Sequence, residues 1–353
     1  MTTMEDTEVL FEARGSAGLI MLNRPKALNA LNLSMVRAID ARLRAWADAP
    51  RIDCVVIRGA GEKAFCAGGD IRQLREWGLA GDKQAEAFYR EEYQLNALIK
   101  HYPKPYVALV DGIVMGGGVG VSLHGSHRFV GERTLFAMPE TGIGFFPDVG
   151  ATFALPRLPG SLGTYLALTG ARLGPADLHW CGVATHSVAG ASFDHIIDDL
   201  AAGAGIDETG AHHPRAAGEP TLPGLMPAID RCFGAGSVKD VLARLAREKD
   251  ASATWATETA AGLRSKSPLS LGIAFRQMQV GGHEDFNECM RIEYRIASRI
   301  LGRGDFFEGV RALLVDKDNK PRWRHPSAEA VDDAEIDLYF APLGEAELTF
   351  PNA

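Results

Sequence analysis

Two carboxylates in one apolar stretch are the residues of this chain best suited to chemistry. Residues 135–150 read LFAMPETGIGFFPDVG, with Glu140 and Asp148 eight positions apart among Phe136, Ile143, Phe145 and Phe146. An apolar wall disfavours the charged form of a carboxyl group and moves its pKa toward the range useful for proton transfer. A loop with one capping acid and one turn acid is the plainer reading of the same letters, because shifted acids mark function only as a tendency. Upstream lie two glycine-rich stretches, Ala67-Gly68-Gly69 and Gly116-Gly117-Gly118. Glycines at a strand-to-helix junction let a ligand approach the backbone, and they leave N–H groups at the helix start that favour an anion or a developing oxyanion. Two such donors facing one carbonyl oxygen would stabilise an enolate or a tetrahedral oxyanion. The triple glycine is no dinucleotide fingerprint, since the third glycine of GxGxxG would fall on Val121, and it does not spell GxxxxGK[ST]. Tight helix–strand packing would also account for it.

The surrounding chain reads as a layered α/β arrangement. Residues 9–11 and 19–22 are expected strands joined by a turn at 15–18. A helix starting near Asn32 or Ser34 carries Val36, Ile39, Leu43 and Trp46 on one face. Residues 54–57 and 106–110 are short, continuously apolar strands. Between them, 61–71 reads as a loop and 85–99 as a helix with Phe88, Glu92, Leu95 and Ile99 near one stripe. Residues 115–125 read as a glycine turn entering a helix of small residues, 129–130 and 135–137 as strands, and 162–169 as the start of a helical region. Gly, Pro and polar residues dominate 201–225, and helical periodicity follows. The expected division is therefore an α/β core over 1–200, a linker over 201–225 and a helical region over 226–353 that packs on the core.

The totals narrow the function classes. A chain of 353 residues makes one large domain or two. Its hydrophobic content of 46% and charged content of 23% are those of an ordinary soluble protein. A formal net charge of −8 argues against nucleic acid or an anionic membrane as partner, yet allows an anionic small ligand held by a few local cations. Five scattered cysteines without CxxC spacing indicate neither a disulfide framework nor a zinc site. The acidic amino terminus lacks the apolar core of a secretory signal and the arginines of a transit peptide, and no apolar run reaches the roughly 20 residues of a membrane helix. A cytoplasmic enzyme is the expectation.

The order of the pieces is more specific than any one of them. LNRPKALNAL at 22–31, FCAGGDI at 65–71, MGGGVG at 115–120, FAMPE at 136–140 and FPDVG at 146–150 together resemble the crotonase (enoyl-CoA hydratase/isomerase) superfamily. Within it the chain resembles the 3-hydroxyisobutyryl-CoA hydrolase branch, through REEY at 90–93, KPYVALVDGIVMGGGVGVSLHG at 104–125, LALTGARL at 166–173 and FFEGVRALLVDKDNKPRW at 306–323.

The resemblance implies an α/β crotonase-type fold, a spiral of ββα units with a helical carboxy-terminal region over the site. It implies an acyl-CoA substrate, with the N–H groups of Gly69 and Gly117 as the oxyanion hole for a thioester carbonyl. Glu140 matches the family's catalytic glutamate, as nucleophile or as general base. Asp148 matches the branch's second acid, and Glu92 a glutamate that binds the substrate. Ala67 and Ile71 would line the path of the adenine and pantetheine, Gly68 would be among the substrate-binding residues, and Lys26 and Arg72 would stand near the CoA phosphates. Gly120 departs from the hydratases, which carry their other catalytic glutamate there. Hydrolysis of a 3-hydroxyacyl-CoA therefore ranks ahead of enoyl-CoA hydration or isomerisation, and a non-catalytic acyl-CoA- or RNA-binding relative ranks last. No metal or further cofactor is implied, since CoA is part of the substrate, and homo-oligomerisation is open. Cys66 and His124 read as packed residues, and Asp70 and Asp111 as cap or turn acids.

Overall fold

Strands that are apolar on both sides need cover on both sides, and this requirement shapes the architecture. The computed structural model describes residues 7–301 and 304–351; positions 1–6 of the acidic amino terminus and the last two residues of the 226–353 region lie outside the described residues. β1 (Val9–Arg14) and β2 (Ala17–Leu22) form an antiparallel hairpin. Its turn uses Gly15 at φ +54°, where a side chain would also strike the Ala201 carbonyl. The remaining strands are β3 (Cys54–Gly59), β4 (Ala64–Cys66), β5 (Tyr106–Val110), β6 (Ile113–Met115), β7 (His127–Val130), β8 (Leu135–Ala137) and β9 (His186–Ser187). They build a six-stranded sheet ordered β1-β2-β3-β5-β7-β9 and a three-stranded sheet ordered β4-β6-β8, parallel throughout beyond the hairpin. Each consecutive pair, β3/β4, β5/β6 and β7/β8, gives one strand to each sheet. The chain thus winds as the expected spiral.

Alternation along β3 and β5 fills two cores. Val55, Ile57, Ala108 and Val110 face the larger one, while Cys54, Val56, Val107 and Leu109 meet Phe193, Ile196, Ile197 and Leu200 of the helix Phe193–Ala201. The helix Leu33–Ala47 begins at Asn32, whose side chain accepts the Met35 N–H, and buries Val36, Ile39, Leu43 and Trp46.

Two stretches differ from the sequence reading. The expected loop at 61–71 contains β4, and Ile71 starts a helix, Ile71–Ala80, capped by Asp70. Three apolar residues suffice for a strand there because β6 pairs alongside. The expected linker at 201–225 contains a helix, Ile206–His212, with Asp207 and Glu208 in its first turn, and Leu222 starts another, Leu222–Phe233. Acidic residues at the helix start and packing on Phe193–Ala201 outweigh the local glycine content. Farther on, Pro268–Gly281 packs on the helix Leu162–Thr169, Phe286–Ile300 on the helix Gln84–Lys100, and Asp305–Val310 on the turn that follows β8. That last approach is close. A side chain added at Gly309 would stand 2.3 Å from the Ile143 backbone, and one at Gly144 would stand 2.3 Å from the Asp305 carbonyl.

Candidate active site

Glu140 opens a single 3-10 turn, Glu140–Ile143, directly after β8; Gly144 closes it at φ +71° with its N–H on the Glu140 carbonyl. The side chain is only 6% exposed, and its Oε2 has no hydrogen-bond partner among the described residues. Burial raises its pKa well above the usual carboxylate range, the charge of Asp148 adds to that, and Lys266 opposes it. Phe145 stacks on Tyr89 at 5.4 Å and tilts toward Phe306 at 5.3 Å, so the apolar wall expected from the sequence is completed by the carboxy-terminal helices.

Two glycine segments converge on this carboxylate. β6 runs into Gly116 at φ +45°, and the short helix Gly117–Gly120 starts there with no side-chain cap. A methyl group on Gly116 would lie 3.3 Å from Glu140 Oε1. One on Gly117 would lie 2.6 Å from Glu92 Oε1 and 3.3 Å from the Gly69 nitrogen, and one on Gly68 would lie 3.8 Å from the Gly117 nitrogen. No acceptor among the described residues takes the N–H of Gly69 or Gly117. The 67–70 loop is fixed against 28–31 by Leu31 N–H to the Gly68 carbonyl (2.8 Å) and Asp70 N–H to the Leu31 carbonyl (2.7 Å). This joins the LNRPKALNAL and FCAGGDI stretches.

Two further acids face the same space. Glu92, on the helix Gln84–Lys100, is buried, and its Oε1 has no partner among the described residues. Burial, then the charges of Asp148 and Glu293, push its pKa well up. Asp148 Oδ2 accepts a 2.8 Å hydrogen bond from the Tyr93 hydroxyl. Burial lifts Asp148 to about 7, although that hydrogen bond pulls the other way. Glu92, Asp148, Glu140, Gly68, Gly69 and Gly117 are therefore brought together. Ala67 and Ile71 are half-buried beside them. Lys26, in the turn Pro25–Ala27, and Arg72, in the first turn of the helix Ile71–Ala80, are instead exposed. Arg72 donates to the Leu314 carbonyl at 2.8 Å and, with Arg75, Glu76, Leu314, Val315 and Lys317, lines a cavity of about 340 Å³. Lys26 is not in that lining.

Sequence reasoning missed three polar residues of this region. Glu293 accepts the Gly150 N–H (2.7 Å) and the Thr152 N–H (2.9 Å), holding the segment that follows Asp148, and burial lifts its pKa to about 8. Asn96 is buried with both amide atoms unpartnered among the described residues, one turn beyond Glu92. Lys266 Nζ comes within 3.5 Å of the point where a side chain on Gly142, in the Glu140 turn, would begin. An acid between Met290 and Ala297 on an apolar helix stripe, and an amide four residues after Glu92, were the available signals. His124, Asp70 and Asp111 have structural partners: His124 Nε2–H donates to the Val149 carbonyl, Asp70 caps a helix, and Asp111 binds Arg133.

The family model for enoyl-CoA hydratase/isomerase matches residues 17–340. The chain belongs to this family. Within it, the chain is 46% identical to the 3-hydroxyisobutyryl-CoA hydrolase of Danio rerio over 99% of its own length and 93% of that protein. It is 42% identical to that of Homo sapiens, over 97% and 91% of the two chains. Both relatives are named mitochondrial, which overturns the cytoplasmic expectation; composition and charge, on which that expectation drew, carry no address. Among solved structures of the family, a Rhodobacter sphaeroides protein described as an enoyl-CoA hydratase is 43% identical, with a TM-score of 0.91 over 98% of this chain and 100% of that one. A Mycobacterium thermoresistibile protein described as a carnitinyl-CoA dehydratase is 39% identical, with a TM-score of 0.93 over 99% and 100%. Hydrolase and hydratase names thus stand side by side among the family's similar members, and the residues around Glu140 have to discriminate between them. No described helix is long and apolar enough to cross a membrane.

Proposed function

We propose that the protein hydrolyses 3-hydroxyisobutyryl-CoA, an intermediate of valine breakdown, to 3-hydroxyisobutyrate and CoA. The observation that carries this reading is a buried glutamate beside two unoccupied backbone donors with no room for a second glutamate at position 120. A side chain at Gly120 would begin 2.7 Å from Val149 Cβ and 2.8 Å from Asn96 Nδ2. Hydration of a double bond needs two acids on the substrate, whereas thioester cleavage needs one carboxylate and an oxyanion hole.

In this reading the thioester oxygen sits between the N–H groups of Gly69 and Gly117. Glu140 then follows one of two routes. It attacks the carbonyl carbon, expels the CoA thiolate and leaves a mixed anhydride that water opens, or it takes a proton from the water that attacks. Glu92 accepts a hydrogen bond from the 3-hydroxyl. Asp148, with a pKa lifted to about 7, is protonated in part of the population near neutrality and gives its proton to the departing thiolate. The cavity lined by Arg72, Arg75 and Lys317 offers cations for the CoA phosphates, and Lys26 adds one on the neighbouring loop.

The names of the two solved relatives favour a second reading, enoyl-CoA hydration. One experiment separates the two: CoA release from 3-hydroxyisobutyryl-CoA followed with a thiol-reactive dye, beside crotonyl-CoA hydration. Thiol release without hydration is expected; hydration without thiol release would replace the first reading by the second.

A further inference from the structure

We propose that Lys266 is a positioning residue for Glu140, the counter-cation that favours the ionised form of this carboxylate and orients it toward the substrate. The inference rests on the role given to Glu140 above and assigns part of that site to the helical carboxy-terminal region. Lys266 and its neighbour Ser267 are the two residues between the helices Ala253–Ser265 and Pro268–Gly281. Ser267 stitches this junction to the catalytic turn: its N–H donates to the Thr141 carbonyl at 3.2 Å, and its hydroxyl donates to Asp305 Oδ2 at 2.6 Å. The lysine side chain is thereby carried along the turn, and Nζ ends 3.5 Å from the point where a Gly142 side chain would begin. The bare Gly142 leaves that approach open.

The ammonium group is half-buried and makes neither a hydrogen bond nor an ion pair with any described residue. Withdrawing a charge with three donors from water without a direct partner is unfavourable, so a nearby charge of opposite sign is expected to compensate. The groups on every element packed against the turn leave Glu140 as that charge. Asp305 is engaged by the Ser267 hydroxyl and the Arg324 N–H, and Glu308 by Arg311. Arg276, on the helix Pro268–Gly281, is paired with Asp337. The helix Leu162–Thr169 contributes no ionised side chain. Asp148 faces Glu140 with like charge and opposes its ionisation, as burial does, while Lys266 acts in the favourable direction. Burial lowers the lysine to about 8 and Glu140 holds it up, so the cation is present at neutrality and is lost as pH rises beyond that.

The test is the pH dependence of kcat/KM for wild type, Lys266→Met, Lys266→Gln and Lys266→Arg. Removing the cation makes ionisation of Glu140 less favourable, so the acidic limb of the two neutral variants should move to higher pH. Below neutrality their kcat/KM should fall about tenfold or more. They should converge with wild type in mildly alkaline buffer, where the native lysine has itself lost its charge. Lys266→Arg, which cannot deprotonate, should keep the wild-type acidic limb. A uniform loss at every pH, or a raised KM with an unmoved limb, would overturn the proposal in favour of a structural or a substrate-binding lysine. Infrared titration of the Glu140 carboxyl, assigned by its disappearance in Glu140→Gln, reads the same coupling without turnover. Should the wild-type protein release no thiol, the function proposed above fails, while this titration still decides the lysine: identical midpoints in wild type and Lys266→Met would sink it.

Discussion

Val149 Cβ stands 2.7 Å from the point where a side chain on Gly120 would begin. Val149 holds this place at φ +52°, a left-handed conformation that a β-branched residue adopts at a cost of roughly 1–3 kcal/mol. Three contacts around it keep the segment there. His124 Nε2–H donates to the Val149 carbonyl at 2.6 Å, Gln277 Nε2 donates to the Pro147 carbonyl at 2.9 Å, and Glu293 takes the Gly150 N–H at 2.7 Å. Burial lowers the His124 pKa to about 4, which keeps the ring neutral at physiological pH. The strained residue and the small one opposite it are two halves of one arrangement, which leaves no room for a side chain at position 120.

Gly120 substitutions should therefore fail to create a hydratase. Gly120→Ala should lose about 1–3 kcal/mol of stability through overpacking against Val149 and Asn96, measured by urea unfolding. Gly120→Glu should be less stable again and should hydrate no crotonyl-CoA. Appearance of hydration in that variant would mean that the Val149 segment yields easily and that sterics do not set the reaction.

Glu140→Gln should cut thiol release by about a thousandfold or more, because an amide neither attacks a thioester nor takes a proton. The change is close to isosteric, and Glu140 Oε2 has no partner to lose among the described residues. CoA affinity, read by calorimetry, should stay within about threefold of wild type, since binding and the chemical step draw on different contacts. Turnover near the wild-type rate would remove Glu140 from the chemistry.

Much of this site is legible in the chain because its signals are local. Glu140 and Asp148 stand out by their apolar neighbours, Gly116 to Gly118 by their place after an apolar strand, and Glu92 by falling on the buried stripe of its helix. What could not be read depends on parts of the chain that meet only on folding. Glu293, Lys266 and Phe306 lie more than a hundred residues beyond Asp148, on carboxy-terminal helices or at the junction between two of them, and nothing in their own sequence surroundings places them at this site. β4 was hidden for a related reason: three residues between glycine-rich flanks have too little pattern, and β6 supplies the pairing that defines them. The helix Ile206–His212 sits in a Gly/Pro-rich stretch whose composition favours a loop, and contact with the helix Phe193–Ala201 overrides that tendency.

Tyr93→Phe tests the proton-donor role of Asp148. The Tyr93 hydroxyl lowers the Asp148 pKa, and burial raises it to about 7. Removing the hydroxyl leaves burial less opposed, so Asp148 should hold its proton to higher pH. The alkaline limb of the kcat profile should move up accordingly. The rate at neutrality should fall about tenfold from the loss of an orienting hydrogen bond in a buried network. An alkaline limb that does not move would show that Asp148 is not the group titrating there.

Glu92→Gln sets stability against activity. Burial, and then the charges of Asp148 and Glu293, raise the Glu92 pKa in the folded protein. In the unfolded chain the same carboxyl ionises at its usual value, near 4.3. Below that value both states are protonated, and the group makes no difference to stability. As pH rises past it, the unfolded state gains by releasing a proton that the folded state still holds, so wild-type stability declines toward neutrality. Glutamine cannot ionise and escapes this loss. Its Tm should match wild type in acid and exceed it by about 2 °C or more at neutral and mildly alkaline pH. Meanwhile kcat/KM for the 3-hydroxyacyl thioester should drop about tenfold, because the amide replaces one carboxyl oxygen beside the substrate hydroxyl with an NH2 group that only donates. Thermal unfolding of both proteins across the pH range provides the check. A variant less stable than wild type at every pH would mean that the Glu92 carboxylate is compensated in the folded state, contrary to its unpartnered Oε1. A gain in stability with unchanged kcat/KM would remove Glu92 from substrate binding. Both effects together would mark an acid kept for function at the expense of stability.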